Sequence, residues 1–323
     1  MSKIVTVVGA TGIQGGSVVK ALLNSPEYSV RAITRNTNSD TAKSLKSRGV
    51  EVVEADINSV DSLRAAFKGS YAIFAVTNFF EAIMKGESVE KSMELETQMG
   101  INLADAAAAT ETLSHYVWST LPNSRKNSGG KFVVPYYESK NRIDDHIRKN
   151  QQLFNKTTFL WIGWYASNMA YPFFKPSPIH TADGSEVYVQ LLSEPSSTRL
   201  PLLGDEQTNP GVFAKAVLDQ PEKTLPGKLV AGVDEHKPYS EVVETYYATA
   251  QGIKAQVVQI PKEHYRQIWP VWGGLMDITN SYFNFTDGKS FSSVDQEVLL
   301  KDDLGIKGLV GTAEAFATNK LFK

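Results

Sequence analysis

The 323-residue chain contains no cysteine, which excludes disulfides, thiol catalysis and thiolate metal sites. It also lacks an apolar run close to the roughly 18 residues that a membrane-spanning helix requires. A net charge of −2 provides no general attraction to nucleic acid or to an anionic membrane. Met1-Ser2-Lys3 leads directly into the first apolar run, so we expect no signal peptide. These absences predict a cytosolic protein, with a nuclear location left open, that binds neither nucleic acid directly nor a membrane.

No pattern typical of a metal site is present either. The five histidines, at positions 115, 146, 180, 236 and 264, are scattered without the spacing of metal ligands. The acidic pairs Asp144-Asp145 and Asp302-Asp303 lie in predicted helices, where adjacent side chains point in different directions. We therefore interpret both pairs as solvated charge and predict no bound metal.

A glycine-rich turn near the start of the chain is the most informative positive feature. Ile4–Val8 before it is the continuous apolar run of a strand buried on both faces. Helical spacing of apolar residues after it indicates that the turn joins a first strand to a first helix. Glycines at such a turn allow close approach of a pyrophosphate and tight packing of helix on strand. We predict a dinucleotide site at Gly9, Gly12 and Gly15, the alternative being a tight turn without a ligand.

The end of the second predicted strand, Val30–Arg35, indicates which dinucleotide binds. An NAD site usually carries an acidic residue here, which accepts a hydrogen bond from the ribose 2′-hydroxyl. This chain has Thr34-Arg35-Asn36 instead, and a guanidinium can pair with a 2′-phosphate. Lys43 in the next helix can add positive charge. We predict a preference for NADP(H), the alternative being that Arg35 is a solvated loop residue.

Strands and helices alternate through the first 165 residues, which predicts an α/β fold of the Rossmann type with a doubly wound parallel sheet. The strands predicted after the second are Val50–Glu54, Tyr71–Val76, His115–Ser119 and Thr157–Ile162. A long helix from about Val89 to Ala109 is predicted to turn Leu95, Met99, Leu103 and Ala106 inward.

The texture of the sequence changes after about Tyr171, where prolines and clustered aromatic residues interrupt the pattern. We predict an NADP-binding domain over residues 1–165 and a smaller C-terminal α/β lobe over 166–323. A helix at Val212–Leu218 is expected to return to the main sheet. The aromatic clusters at 171–174 and 269–272 indicate a substrate with an apolar part.

A Tyr-x-x-x-Lys pair, Tyr136 and Lys140, provides candidate catalytic residues. At this spacing the two side chains share a helix face, and an ammonium group beside a tyrosine lowers its pKa toward the range useful for proton donation. Ser119 and Thr120, at the end of the fifth strand, can hold a substrate carbonyl or hydroxyl. The alternatives are that Tyr136 is a packing aromatic or that Tyr137 is the acid.

Polar residues also follow two other strands. Thr77, Asn78 and Phe79 can contact the cofactor, or they can form a capped strand end with a buried phenylalanine. Asp56 and Ile57 can frame the adenine, although Asp56 can equally cap the next helix, which begins near Ser59.

The segments 9–18, 30–36, 76–81, 115–119 and 164–168 together resemble the NmrA-like proteins, which are atypical short-chain dehydrogenase/reductases. The resemblance runs from residue 3 to about 270 and implies a Rossmann domain that binds NADP. It implies pyrophosphate contacts for Gly9, Thr11, Gly12, Ile13 and Gln14, and 2′-phosphate contacts for Arg35, Asn36 and Ser39. Further cofactor contacts are implied for Asp56, Ile57, Thr77, Asn78, Phe79, Lys140, Tyr165, Ser167 and Asn168. Gln98 stands where the family often has a lysine.

The resemblance leaves two functional hypotheses. Some NmrA-like proteins are reductases, whereas others lack the catalytic tyrosine and act as redox sensors through protein partners. Because Tyr136 precedes Lys140 by four residues, we predict an NADPH-dependent oxidoreductase that reduces a small carbonyl or imine by hydride transfer. The alternative is a non-catalytic NADP(H)-sensing regulator that acts through a protein partner.

Overall fold

The computed structural model describes residues 2–322. Met1 and Lys323 lie outside the described residues. They are the outer ends of the two predicted domains, and Met1 also begins the segment for which no signal peptide is predicted. Within that range a large sheet is formed by β1 (Lys3–Val7), β2 (Tyr28–Thr34), β3 (Glu51–Glu54), β4 (Ala72–Ala75), β5 (His115–Thr120), β6 (Thr157–Ile162), β11 (Lys228–Gly232) and β14 (Val298–Leu299). The order across the sheet is β14-β11-β6-β5-β4-β1-β2-β3, and every pairing is parallel. The predicted doubly wound α/β fold is confirmed.

Helices cover both faces of this sheet. The α-helices of the described residues are α1 (Ile13–Leu23), α2 (Asp40–Ser47), α3 (Val60–Phe67), α4 (Phe79–Met84), α5 (Val89–Ala108), α6 (Ser124–Asn127), α7 (Pro135–Lys149), α8 (Gln151–Phe154), α9 (Asn209–Asp219), α10 (Pro221–Thr224), α11 (Ala248–Gln251), α12 (Lys262–Ile268), α13 (Trp272–Thr286) and α14 (Thr312–Thr318). Apolar stripes of α1, α2 and α9 pack on one face, and those of α3, α5 and α7 pack on the other.

The inward face of α5 differs from the prediction. Leu103 and Ala106 are buried as expected, but Leu95 and Met99 are only half-buried. Gly100 explains why a different face of α5 is buried, because a Cβ atom at this position would lie 2.2 Å from Cδ1 of Ile143 on α7. The close approach of the two helices at Gly100 turns a more polar stripe of α5, which includes Glu96, toward α7.

The smaller lobe is built from two three-stranded sheets and the C-terminal helices. One sheet has the order β12 (Glu235–Pro238), β10 (Arg199–Gly204), β7 (Trp164–Tyr165), and the other β13 (Ala255–Gln259), β9 (Glu186–Leu192), β8 (Ser177–His180). Short 3₁₀ segments at Ala166–Ala170 and Lys320–Phe322 and a π-helical segment at Glu241–Tyr247 complete it.

The chain returns from the lobe to the main sheet at three points. The predicted helix at 212–218 is the core of α9, which packs on α1, and Ser17 Oγ accepts a hydrogen bond from the Gly211 amide at 2.8 Å. In addition, β11 pairs with β6 and β14 pairs with β11. The two parts of the chain therefore share one sheet. No helix among residues 2–322 is long and apolar enough to cross a membrane.

Candidate functional site

The glycine turn has the close packing that its sequence predicts. Gly9 has a φ of +68°, a conformation that side chains rarely adopt. A Cβ atom at Gly15 would lie 2.2 Å from the carbonyl oxygen of Gly9, so only glycine fits between turn and helix. Gly12 is exposed, and a Cβ atom there would lie 3.3 Å from the same oxygen, a tight contact but much less severe than the one at Gly15.

The N-terminus of α1 is available for an anion. Its N-cap residue, Gly12, provides no side-chain cap, and the first turn holds no acidic residue. Thr11 is exposed, and Ile13 is 46% exposed. Free backbone N–H groups and the positive end of the helix dipole together favour a phosphate at this point.

Two further predicted contact residues lie beside the turn. Gln14 on α1 accepts a hydrogen bond from Ser119 Oγ at 2.7 Å. The Tyr165 hydroxyl lies near Gln14 and is buried, but it has no hydrogen-bond partner of acceptable geometry among the described residues. Burial raises the pKa of Tyr165 and keeps it protonated. An unpaired buried hydroxyl beside an open helix N-terminus fits a site that a polar ligand completes.

Arg35 follows β2 as predicted and carries an unexpected partner. Its side chain is 70% exposed, and Nη1 lies 3.0 Å from Oε1 of Glu81 on α4. Asn36 and Ser39 shape the turn after it: Asn36 Oδ1 accepts from the Asn38 amide at 2.9 Å, and Ser39 Oγ caps α2. The predicted auxiliary residue Lys43 is exposed one turn into α2.

Asp56 and Ile57 follow β3 in a turn at the carboxyl edge of the main sheet, the edge at which β2 ends before Arg35. The Asp56 carboxylate accepts hydrogen bonds from the backbone and side chain of Asn58, and Ser59 caps α3. The alternative that Asp56 caps this helix is therefore wrong. The Ile57 carbonyl accepts a hydrogen bond from Asn102, to which Gln98 also bonds, so Gln98 braces this turn.

A buried polar cluster joins the segment after β4 to α5 and to the N-terminal half of α7. Lys140 Nζ donates to Thr77 Oγ1 at 2.9 Å and lies 3.2 Å from Oε1 of Glu96 on α5. Glu96 also accepts hydrogen bonds from Thr77 at 2.8 Å and from Ser139. Lys140 is 8% exposed and Glu96 is 2% exposed, so the pair is desolvated and its remaining hydrogen-bonding groups are largely satisfied.

Sequence reasoning missed Glu96. The sequence signal for its burial is the series Ser92, Glu96 and Gly100 at i, i+4 spacing, which places the three residues on one helix face. A helix face that exposes its charges to solvent seldom has small residues on both sides of a charged one. The identification of that face depends on Gly100, whose role becomes visible only where α7 approaches it.

Tyr136 lies in α7 four residues before Lys140, but Lys140 does not bond to it. Its hydroxyl forms a hydrogen bond of 2.9 Å with Thr279 on α13. Burial raises the pKa of Tyr136, and the Thr279 hydrogen bond opposes this only in part. The expected lowering of the Tyr136 pKa by Lys140 is therefore wrong. The predicted fallback, Tyr137, is buried, and burial likewise raises its pKa.

Ser119 and Thr120 diverge, because adjacent residues of a strand point to opposite faces of a sheet. Ser119 points toward α1, whereas Thr120 Oγ1 donates to Asp144 on α7 at 3.1 Å. Asp144 also accepts from the Trp118 indole at 2.7 Å, and burial raises its pKa to about 7. The interpretation of Asp144 as solvated charge is wrong, since the apolar face of α7 carries it into the interior.

Asn78 and Phe79 match the alternative of a capped strand end. Asn78 Oδ1 caps α4 by accepting from the Phe80 amide at 3.1 Å, and Phe79 is buried. Farther along the chain, Ser167 is buried and Asn168 is half-buried in the 3₁₀ segment after β7.

A line of aromatic rings connects the lobe to Tyr136. Phe173 stacks on Trp272 with centroids 5.2 Å apart, Trp272 stacks on Phe80 at 5.5 Å, and Phe80 contacts Tyr136 at 5.1 Å. Tyr171, 47% exposed, stacks on the outer side of Phe173. The two predicted aromatic clusters thus meet through Phe173 and Trp272.

Comparisons with known proteins agree with the fold. The sequence profile of the NmrA-like family matches residues 1–304. The NmrA-like family domain-containing oxidoreductase hkm9 of Aspergillus hancockii is 35% identical over 167 residues, which are 52% of this chain and 48% of that protein. The corresponding oxidoreductase FrzB of Cladobotryum sp is 29% identical over 279 residues, which are 84% of this chain and 78% of that protein.

The chain therefore spans about half the length of hkm9 and more than three quarters of FrzB. Among solved structures, NmrA, a negative transcriptional regulator, in complex with NADP has a TM-score of 0.71 and 20% sequence identity. That match covers 97% of this chain and 94% of the other, and at this identity it concerns the fold.

Proposed function

The chain belongs to the NmrA-like family, and from this premise we propose that it is an NADP(H)-dependent oxidoreductase. The names of the relatives hkm9 and FrzB support this activity. The open N-terminus of α1 at the glycine turn supports dinucleotide binding, and Arg35 supports the choice of NADP(H). In this proposal Gly9–Gly15 contact the pyrophosphate and Arg35 contacts the 2′-phosphate.

The finer proposal is reduction of a small carbonyl or imine compound with an apolar part. The observation that carries it is the line of aromatic rings that ends on Tyr136, which places apolar surface beside a hydroxyl that stays protonated. When bound, NADPH supplies the hydride. Lys140 then orients the nicotinamide ribose, and Phe80 and Trp272 exclude water from the substrate.

Tyr136 is proposed as the proton donor. A raised pKa does not prevent this role, because a phenol that stays protonated at every physiological pH can still transfer its proton to a much more basic alkoxide. Thr279 fixes the direction of the hydroxyl through their hydrogen bond. The hydroxyls of Ser119 and Thr120 both donate within the protein, to Gln14 and to Asp144. Ser119 remains the proposed substrate-holding hydroxyl, because it lies on the α1 side of β5 beside the glycine turn.

The test is NADPH oxidation against a panel of aldehydes, ketones, quinones and imines, followed by Tyr136→Phe. This change keeps the ring in the aromatic line and removes only the hydroxyl. We expect turnover to fall roughly 10²–10⁴-fold, the usual contribution of a general acid, while NADPH affinity stays near the wild-type value.

Tyr137→Phe is the matched control on the same helix and should leave turnover unchanged. A loss of turnover that follows Tyr137 instead would transfer the role of the acid to that residue. Normal rates in both variants would remove tyrosine from the proposed chemistry while retaining the oxidoreductase activity.

A second candidate function, an NADP(H)-sensing regulator, is favoured by one observation. Lys140 bonds to Thr77 and Glu96 and not to Tyr136, so the coupled tyrosine-lysine pair of a dehydrogenase is missing from this conformation. An inactive substrate panel together with tight, saturable NADP(H) binding would support the regulator over the enzyme.

A further inference from the structure

Glu81 is the partner of Arg35, the residue proposed to bind the 2′-phosphate. One oxygen of Glu81 lies 3.0 Å from Arg35 Nη1 and 2.8 Å from Lys85 Nζ. Hydrogen bonds from Lys85 and Arg35 hold the pKa of Glu81 below its ordinary value, so the carboxylate is ionised at neutral pH.

The topology of the sheet gives this pair its position. Arg35 follows β2, Glu81 lies in α4 after β4, and β1 lies between β2 and β4. The pair therefore spans the edge at which β1 ends and the glycine turn begins. Ligands of open α/β sheets bind outside this carboxyl edge.

The ion pair of Arg35 and Glu81 affects the electrostatic preference between NADP(H) and NAD(H). An NAD site usually has its acidic residue at the end of β2, and this chain has none there. Glu81, 46 residues farther along the chain, brings a carboxylate to that guanidinium from another helix. A 2′-phosphate that pairs with Arg35 must displace this carboxylate or bind beside it, and like charges in contact are unfavourable.

We propose that Glu81 is a cofactor-specificity residue, which competes with the 2′-phosphate for Arg35 and reduces the preference for NADP(H) over NAD(H). This inference rests on the proposed NADP(H) binding. Glu81 can release Arg35 at little cost because Lys85 remains as a second cation on its own helix. Both partners are accessible, at 70% and 37% exposure, so the competition is modest in size.

The experiment is calorimetric titration of NADPH and NADH into the wild-type protein and Glu81→Gln, which keeps the side-chain size and removes the charge. We expect NADPH affinity to rise about three- to tenfold and NADH affinity to change less than about twofold. In an Arg35→Ala background the gain from Glu81→Gln should shrink, because the guanidinium for which the two anions compete is gone.

Glu87→Gln is the matched control, since Glu87 is an exposed carboxylate close in sequence that makes no ion pair within residues 2–322. It should leave the NADPH/NADH affinity ratio unchanged. Titrations of 2′,5′-ADP and ADP should repeat the pattern, because they isolate the adenosine half of the cofactor from the rest of the cleft.

An affinity ratio that Glu81→Gln leaves unchanged or lowers, in a protein that binds NADPH, would overturn this inference alone. An equal rise in Glu87→Gln would also overturn it, since the effect would then be one of overall charge. Failure of the wild-type protein to bind either nucleotide would overturn the proposed function, and this inference with it.

Discussion

Asp144 is a buried acid, although its place beside Asp145 in the sequence predicts surface charge. Its two oxygens accept hydrogen bonds from Trp118 and Thr120, and the side chain of Arg148 opposes the rise in its pKa. The Trp118 ring also contacts Lys140, whose Nζ lies 5.2 Å from the ring centroid. The interior around α7 therefore holds the ion pair of Lys140 with Glu96 and, separately, Asp144, whose pKa burial raises to about 7.

This acid makes a prediction for the pH dependence of stability. The folded-state pKa of about 7 lies above the roughly 3.9 of an unfolded aspartate, so between these values the folded protein keeps a proton that the unfolded chain has lost. The contribution of Asp144 to the free energy of unfolding is therefore highest below pH 4 and falls as the pH rises to about 7.

Asp144→Asn removes the titration but keeps an acceptor for Trp118 and a group that can bond to Thr120. We expect the free energy of unfolding of the variant, relative to the wild-type protein, to increase by about 2 kcal/mol between pH 5 and pH 8. Urea denaturation at several pH values measures this difference. Parallel pH profiles for the two proteins would contradict the prediction.

At the residue scale, sequence reasoning worked where the chemistry lies within one segment. Gly9, Gly12 and Gly15 and the position of Lys140 could be derived from local patterns. The partners of these residues could not, because Glu81, Glu96 and Thr279 lie on other elements, and their directions depend on how helices rotate against each other. The resemblance to a family likewise supplied positions but no partners.

At the scale of elements, the turn between β1 and α1 separates fold from binding. Gly15 faces the backbone of the turn, and Gly16 has ordinary space, with a Cβ contact of 3.5 Å to Ala10. Gly12 is exposed, with a tighter Cβ contact of 3.3 Å to the carbonyl oxygen of Gly9. Three neighbouring glycines therefore have three different reasons to tolerate or reject a side chain.

Substitution of these glycines should give three distinct results. Gly15→Ala should lower the free energy of unfolding by several kcal/mol, whereas Gly16→Ala, its matched control, should be neutral or stabilising by up to about 1 kcal/mol. Gly12→Val should leave circular dichroism unchanged and abolish NADPH binding, because its branched side chain occupies the space of the pyrophosphate. Wild-type NADPH affinity in Gly12→Val would mean that the turn is structural only.

The short helix α4 shows why some helices cannot be predicted from the periodicity of the sequence. Long periodic segments such as α5 are predicted almost to the residue, and six of the eight strands of the main sheet within one or two residues, whereas β11 and β14 are not predicted. Six residues offer too few turns for a periodic signal, so the sequence predicts no helix at Phe79–Met84. Yet this helix carries Phe80 to the lobe and Glu81 to Arg35.

At the scale of the whole molecule, the residues on the two sides of the predicted division at residue 165 share one sheet. Residues 228–232 and 298–299 complete the main sheet, and α9 packs on α1 through Gly211 and Ser17. We expect the full chain to unfold in one cooperative transition in urea.

A fragment of residues 1–165 should show no cooperative transition, because it exposes the edge of β6 and the face of α1 that α9 covers. Far-ultraviolet circular dichroism of the fragment and the full chain, measured side by side, tests this. A sigmoidal transition in the fragment would restore the predicted boundary as a true domain border.

The late arrival of β11 has a consequence for synthesis on the ribosome. The fully buried strand Thr157–Ile162 leaves the exit tunnel well before its neighbour Lys228–Gly232, roughly 65 residues later in the chain. At about 5–20 residues per second its edge stays unpaired for roughly 3 to 13 s. During that interval the nascent chain exposes an aggregation-prone strand edge at Phe159, Leu160 and Trp161. Chaperones and other nascent chains then compete to bind this edge.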